Sequence, residues 1–218
     1  MMEPYSAAHP SNDALRHWEG LYRDTKGPLP WEIDQLPEDI GKWAALVGPG
    51  SSVIDLGCGR GGHALALEKL GHVVTGIDFS ASAIEEARRR AGQAGSKNAS
   101  FEVADILTYR TSRDFGLAFD YSVLHHISDD RIGAYALAVE RLLGGGGVFG
   151  VVCYAEALED CGRSVARVGA LGNVIFHRSY EQVCAIFSVG FRLVQYGSSR
   201  LGPRKQHAAH SFTFRKHE

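Results

Sequence analysis

VIDLGCGRGG, residues 53–62, decides how this chain folds. An apolar run ends in Gly57, Gly59 and Gly61, and HALALEKL follows at once. That order reads as a strand, a tight backbone turn and a helix. Without side chains at the turn, backbone N–H groups at the start of the helix can approach a ligand closely. Gly57, Gly59 and Gly62 also satisfy GxGxxG, a spacing that many α/β folds contain for packing reasons alone.

Outward from the turn, strand and helix alternate. HVVTGID is a second buried strand, and a helix opens at Ser80 and runs through AIEEARRRA. ASFEVAD reads as a third strand closed by Asp105, and FGLAFDYSVL contains a fourth. RIGAYALAVERLL is an amphipathic helix and GGVFGVVCY a fifth strand. Alternation of this kind predicts a doubly wound α/β fold, with a mostly parallel sheet between helices. In the tail, YEQVCAIF reads as a helix, then FRLVQYG and HSFTFRK as two strands with only a loop between them. Two such strands make a C-terminal antiparallel hairpin. Ahead of the turn, Asn12–Tyr22 and Pro37–Val47 have helical spacing, separated by the breaker TKGPLPWE; the first ten or so residues read as a loose lead. The expectation is one domain over 1–218, with residues 1–50 as a helical cap and 51–218 as a cofactor-binding core.

Composition narrows the function classes. The 218 residues are 44% hydrophobic and 22% charged, enough apolar material for a sizeable core. A net charge of −2 argues against a nucleic-acid partner. Arg88–Arg90 reads as a solvated helix face and Arg204–Lys205 as loop. Cys58, Cys153, Cys161 and Cys184 show neither a CxxC pair nor zinc spacing, so no metal is expected. No stretch reads as a secretory leader or as a membrane span. The expectation is a cytoplasmic protein without membrane insertion, its oligomeric state open between monomer and homodimer.

Three consecutive strands carry an aspartate at their carboxyl edge: Asp55, Asp78 and Asp105. Open α/β sheets bind ligands at that edge. A pyrophosphate repels a carboxylate beside the glycine turn, whereas a ligand with sulfonium and ammonium groups is attracted. Asp78 stands where a carboxylate accepts ribose hydroxyls, and Asp105 where it receives an adenine amino group. The competing reading is structural for each: strand-end bonding for Asp105, capping of the next helix for Asp78, ordering of the glycine loop for Asp55.

With VIDLGCGRG, VVTGIDFS, VADI, FDYSVLHHI and LLGGGGVFGVV in this order, the chain resembles the class I S-adenosylmethionine-dependent methyltransferases from Ser51 to its end. The resemblance implies a seven-stranded Rossmann-like sheet and S-adenosyl-L-methionine as cofactor. It implies cofactor contacts from Asp55, Gly57, Cys58, Gly59 and Gly61 at the turn. Further contacts fall to Asp78, Phe79 and Ser80 after the second strand, and to Asp105, Ile106, Tyr121 and Trp31. One departure is Gly144–Gly147, where such proteins usually have Pro-Gly-Gly. The segment HWEGLYRDTKGPLPWEIDQLP is similar to the amino-terminal signature of the thiopurine, thiol and halide methyltransferase group, with Pro30-Trp31-Glu32 matching its second half. That likeness implies a segment folded over the cofactor, with Trp31 facing the ligand and Trp18 serving as a hydrophobic staple.

The partner expected is a small-molecule methyl acceptor. Tyr121, Ser122, His125 and His126 follow the fourth strand, on the substrate side. Tyr121, His125 and His126 are the catalytic candidates. On an extended segment adjacent histidines face opposite sides, so at most one reaches the reacting methyl. His177 and Tyr180 are expected to open the penultimate helix near the pocket rim. Two rivals are a nicotinamide-dependent oxidoreductase and a non-catalytic S-adenosylmethionine-binding module. Against the first, the TyrxxxLys pair of a short-chain reductase occurs only as Tyr22–Lys26, ahead of the glycine turn, and there is no room for a second domain. The intact glycine turn and both downstream aspartates oppose the second.

Overall fold

The structure is a computed structural model that describes residues 12–29, 31–32, 35–155, 165–169, 171–202 and 207–218. The amino-terminal lead, Pro30, Cys161 and the Arg204–Lys205 pair lie outside the described residues. Among the described residues, no helix is long and apolar enough to cross a membrane.

Two helices come first, α1 (Asn12–Asp24) and α2 (Glu38–Val47). The core then runs β1 (Ser52–Leu56), α3 (Gly62–Lys69), β2 (Val73–Asp78), α4 (Ala81–Ala94), β3 (Ala99–Val103) and β4 (Phe115–Tyr121). A one-turn 3-10 helix (Leu124–His126) precedes α5 (Ile132–Leu142) and β5 (Leu143–Tyr154). Last come β6 (Val165–Val168), β7 (Val174–His177), α6 (Tyr180–Phe187), β8 (Phe191–Leu201) and β9 (His207–Lys216). Seven strands form one sheet in the order β3-β2-β1-β4-β5-β9-β8, parallel except that β9 is antiparallel to both β5 and β8. The doubly wound sheet and its terminal hairpin are as the alternation predicts.

Why the central strands read as continuous apolar runs is plain from the packing: helices cover both faces. Side chains alternate between two cores. Ile54 and Leu56 join α5 and α6 on one face, through Tyr135, Val139 and Phe187. Val53 joins α2, α3 and α4 on the other, through Trp43, Leu67 and Ile84. Trp43 is 1% exposed, and its indole N–H finds Thr213 Oγ1 at 3.0 Å. Asp39 accepts the hydroxyls of Ser199 and Ser211, tying α2 to the terminal hairpin. The order of connection reverses between β1 and β4, so the crevice for a ligand opens at their carboxyl ends.

Several boundaries differ from the sequence reading. Asp105 lies two residues beyond β3, in a turn where its carbonyl accepts the N–H groups of Thr108 and Tyr109. β5 opens at Leu143 rather than within the glycine run, with a register irregularity against β4. His177 ends β7; the last helix, α6, starts at Tyr180 behind a capping box built by Ser179 and Gln182. The two-stranded β6–β7 sheet had no counterpart in the sequence reading.

Candidate active site at the carboxyl edge of the sheet

The glycine turn is held by the next strand. Gly57 and Cys58 both donate to the carbonyl of Ile77, at 2.8 and 3.0 Å. Gly57 has φ 74°, and a Cβ there would collide with Val123 beyond β4. Gly59 donates to Asp78 Oδ2 at 3.0 Å, while Asp78 Oδ1 accepts the N–H of Ser80 at 2.9 Å. Ser80 is itself the N-cap of α4, its hydroxyl accepting from Ala83. Asp78 therefore braces both the turn and the helix start, and each oxygen keeps a lone pair for a ligand. Burial pushes its pKa up to about 6.

Behind the turn sits Asp55, 2% exposed. Among the described residues nothing donates to its Oδ2. Burial, then the neighbouring Asp78 and Asp120, push its pKa well up. An orphaned acceptor in a cluster of carboxylates suits a cationic ligand and opposes an anionic one. This donor set fits the sulfonium and ammonium groups of S-adenosylmethionine. The Cys58 thiol packs beside Gly76 of β2 and lies 3.7 Å from the Gly59 carbonyl oxygen. Past β3, Asp105 Oδ1 accepts from Leu107 at 3.0 Å and Oδ2 lies 3.5 Å from Arg131.

The amino-terminal segment closes over this edge. Arg60, between Gly59 and Gly61 of the turn, is 6% exposed. Its guanidinium donates to the carbonyls of Gly27, Tyr22 and Thr25 and meets Glu32 at 3.1 Å. Glu32 also accepts from Leu29, and Arg90 stands 3.2 Å from its other oxygen. Glu19 of α1 takes both hydroxyls of Ser80 and Ser82 at the start of α4. So docked, Trp31 lies edge-on to Trp18 and Tyr22, with ring centres at 5.4 and 6.2 Å. Trp18 reaches the ring of His126 at 4.9 Å; it lines the cavity as Trp31 does, beyond the staple role expected of it.

The substrate-side loop is not extended. Ser122 has φ 85°, which ends β4 after Tyr121, and the chain enters the 3-10 turn. His125 and His126 consequently do not face opposite sides; their rings lie 4.4 Å apart and both line the cavity. His125 Nδ1 accepts the N–H of Tyr154 at 3.3 Å, and His126 Nδ1 lies 3.0 Å from the carbonyl oxygen of Val174 in β7. Buried Arg178 donates to the carbonyls of Leu124 and Ile127 on either side of the turn and to Asp129. Asp120 holds the loop from the sheet side, accepting from Val123 and from the hydroxyl of Tyr135. Burial raises the Tyr121 phenol to about 12.

One cavity of about 780 Å³ joins these parts. Of the residues anticipated from sequence, Trp31, Gly57, Asp78, Phe79, Asp105, Ile106, Tyr121, His125 and His126 line it. Asp55, Cys58, Gly59, Gly61 and Ser80 stand behind the lining. Its far wall comes from the β6–β7 hairpin, through Val168, Leu171 and Ile175, and from Tyr154 and His177. Tyr22, Arg60 and Arg178 were missed. Tyr22 falls four residues after Trp18, a helical spacing that does signal a shared face. Nothing local to Arg60 or Arg178 marks their partners, which lie dozens of residues away.

Comparison with known proteins agrees with this geometry. A family model described as a methyltransferase domain matches residues 48–180. The 2-heptyl-1-hydroxyquinolin-4(1H)-one methyltransferase of Mycobacteroides abscessus is 31% identical over 130 residues, 59% of this chain and 57% of that protein. The match thus spans little more than half of that relative's length. A probable thiol methyltransferase 2 of Arabidopsis thaliana is 27% identical over 186 residues, 80% of this chain and 78% of that protein. Among solved structures, the Burkholderia thailandensis 1,6-didemethyltoxoflavin-N1-methyltransferase, with S-adenosylhomocysteine bound, has a TM-score of 0.78 at 20% identity. That likeness covers 100% of this chain and 94% of the other, and it is one of fold. From the family match, the sheet order and the glycine turn, the chain belongs to the methyltransferase-domain family.

Proposed function

We propose that this chain moves a methyl group from S-adenosylmethionine to a sulfur, oxygen or nitrogen atom of a small, largely apolar and planar molecule. The observation that carries this reading is the single cavity. One end holds the glycine turn, Asp78 and Asp105; the other is walled by aromatic rings and an apolar hairpin. Its volume of about 780 Å³ lies within the usual range for small-molecule sites and leaves room for donor and acceptor side by side.

When bound, S-adenosylmethionine supplies an electrophilic methyl on a sulfonium, with a neutral sulfide as leaving group. The chain's own contribution is placement and dryness. In this reading Asp78 accepts from the ribose, Asp105 and Ile106 flank the adenine, and the amino-acid end lies against the glycine turn. Trp18, Tyr22 and Trp31 screen the reacting centre from water, and α1, Trp31 and α2 act as the cap of a single-domain enzyme. The capped arrangement, with Trp31 against Trp18 and Glu32 paired to Arg60, favours kinship with the thiol and halide group. The relatives named for a hydroxyquinolinone and a thiol support aromatic hydroxyls and thiols as the first acceptors to try.

The test is a panel of phenols, N-hydroxy heterocycles, thiols, N-heterocycles and halides with methyl-labelled S-adenosylmethionine. Label appearing in at least one aromatic or thiol acceptor is the expected result. Label found in none of them, with the cofactor bound, would contradict the assignment of substrate class.

A further inference from the structure

The two histidines of the 3-10 turn are hydrogen-bonded in opposite senses. His125 Nδ1 accepts a backbone N–H, from Tyr154 at 3.3 Å, so its neutral ring holds its own proton on Nε2. His126 Nδ1 faces the carbonyl oxygen of Val174 at 3.0 Å, and a carbonyl only accepts. That ring carries its proton on Nδ1 and keeps the Nε2 lone pair. We infer that His126 takes the proton of a hydroxyl acceptor through Nε2, whereas His125 serves only as an N–H donor. The inference rests on the methyltransferase reading above and adds to it which residue is the base and which acceptor it suits.

The surroundings keep both rings neutral. Burial, followed by His126, His177 and Arg178, holds His125 well below the usual histidine range. Burial also lowers His126 to about 4, helped by His17 from α1 and opposed by the Val174 carbonyl. Arg131 is the other charged group lining this end of the cavity close in sequence to the turn. The lone pair is thus present throughout the working pH range. The hairpin that walls the acceptor site also supplies the carbonyl that sets the tautomer. A missing or displaced hairpin would leave the base undefined.

So weak a base does not ionise an ordinary phenol, of pKa about 10, in advance. The proton instead moves with the methyl. As the oxygen–carbon bond forms, the carbon–sulfur bond breaks and its electron pair stays on sulfur. The acceptor oxygen becomes strongly acidic, and its proton passes to His126 Nε2 and from there to water. Acceptors that suit this base are hydroxyls more acidic than phenol, such as N-hydroxy heterocycles or electron-poor phenols.

Two measurements decide it. Long-range proton–nitrogen NMR of histidine-labelled wild-type protein, assigned with His125→Gln and His126→Gln, reads the tautomers without any turnover. The expected pattern is Nε2–H for His125 and Nδ1–H for His126; Nε2–H at His126 would overturn the inference. Kinetics then compare the best hydroxyl acceptor with a thiol acceptor ionised at about pH 8. His126→Gln should lose about 10²- to 10⁴-fold on the hydroxyl and at least tenfold less on the thiolate. His125→Gln should lose similarly on both. Equal losses for His126→Gln on both acceptors would also overturn the inference. A wild type that methylates thiols but no hydroxyl sinks this inference and spares the wider reading; one that methylates nothing sinks the wider reading, while the tautomers are still read.

Discussion

Arg60 and Glu32 meet at 3.1 Å, with side chains 6% and 17% exposed, and join the glycine turn to the segment that covers it. The contact explains two residues of the sequence at once: the arginine in GCGRG and the acid of Pro-Trp-Glu. Breaking a buried pair on one side costs up to about 3–5 kcal/mol where the remaining charge is stranded, and less here because Arg90 still faces Glu32. Here that cost falls on docking of the cap. Arg60→Ala, which also strands the carbonyls of Tyr22, Thr25 and Gly27, should speed hydrogen exchange across residues 12–32 by 10-fold or more and weaken cofactor binding. Glu32→Gln should do the same more mildly. Exchange rates unchanged in both variants would mean the cap is held by its aromatic packing alone.

Asp78 gives the site a pH dependence of definite sign. Its pKa is raised by burial from 3.8 to about 6 in the unliganded fold. The folded state therefore binds this proton more tightly than the unfolded chain, so ionising Asp78 lowers stability as pH rises from about 4 to 6. Hydroxyl donors of a bound ribose favour the ionised form. Affinity for S-adenosylhomocysteine should accordingly fall as pH drops below about 6, by up to tenfold per unit. Asp78→Asn should bind about 10- to 100-fold more weakly at neutral pH and lose that dependence. Calorimetric titrations at a series of pH values read both effects; identical pH profiles for wild type and variant would remove Asp78 from the cofactor contacts.

The turn can be probed by adding one carbon. Gly57→Ala forces an L-residue into the left-handed region and drives a methyl into Val123, so a loss of about 1–3 kcal/mol is expected, together with cofactor affinity. Gly62→Ala is the control: it lies at the first position of α3 with open space around it. It should be neutral or stabilise slightly. Thermal melts with and without S-adenosylhomocysteine distinguish the two, and a Gly57→Ala protein that melts and binds like wild type contradicts the geometry.

Trp18 and Trp31 both line the cavity, but only Trp18 touches the ring of His126. Trp31→Ala should lower turnover more than cofactor affinity, by admitting water beside the donor. Trp18→Ala should chiefly raise the acceptor KM. Matching changes in both constants for both variants would reduce the pair to packing.

Much of the fold was legible because its signals are local. The apolar runs around Ile54, Ile77 and Phe119 need only buried, two-sided strands, and the glycines need only a tight turn. The β6–β7 hairpin was not legible: Val165–Val168 and Val174–His177 are short, exposed in part, and pair with each other rather than the main sheet. The histidine geometry was misjudged for a related reason. Alternation holds only while the strand lasts, and the single positive φ at Ser122 ends it before His125. Cys58 and Ser80 fell within the motif by position, yet their side chains are spent on packing and capping. Arg60 and Arg178 act on carbonyls far along the chain, which no spacing rule reaches.

The central claim is that this sheet edge takes a phosphate-free adenosyl ligand and not a dinucleotide. Calorimetry of the whole chain with S-adenosylhomocysteine, S-adenosylmethionine, NAD and NADP tests it most directly. The account predicts saturable one-to-one binding of the first two, a rise in Tm with each, and no comparable effect from either dinucleotide. Binding of NAD or NADP as tight as that of S-adenosylhomocysteine would contradict it.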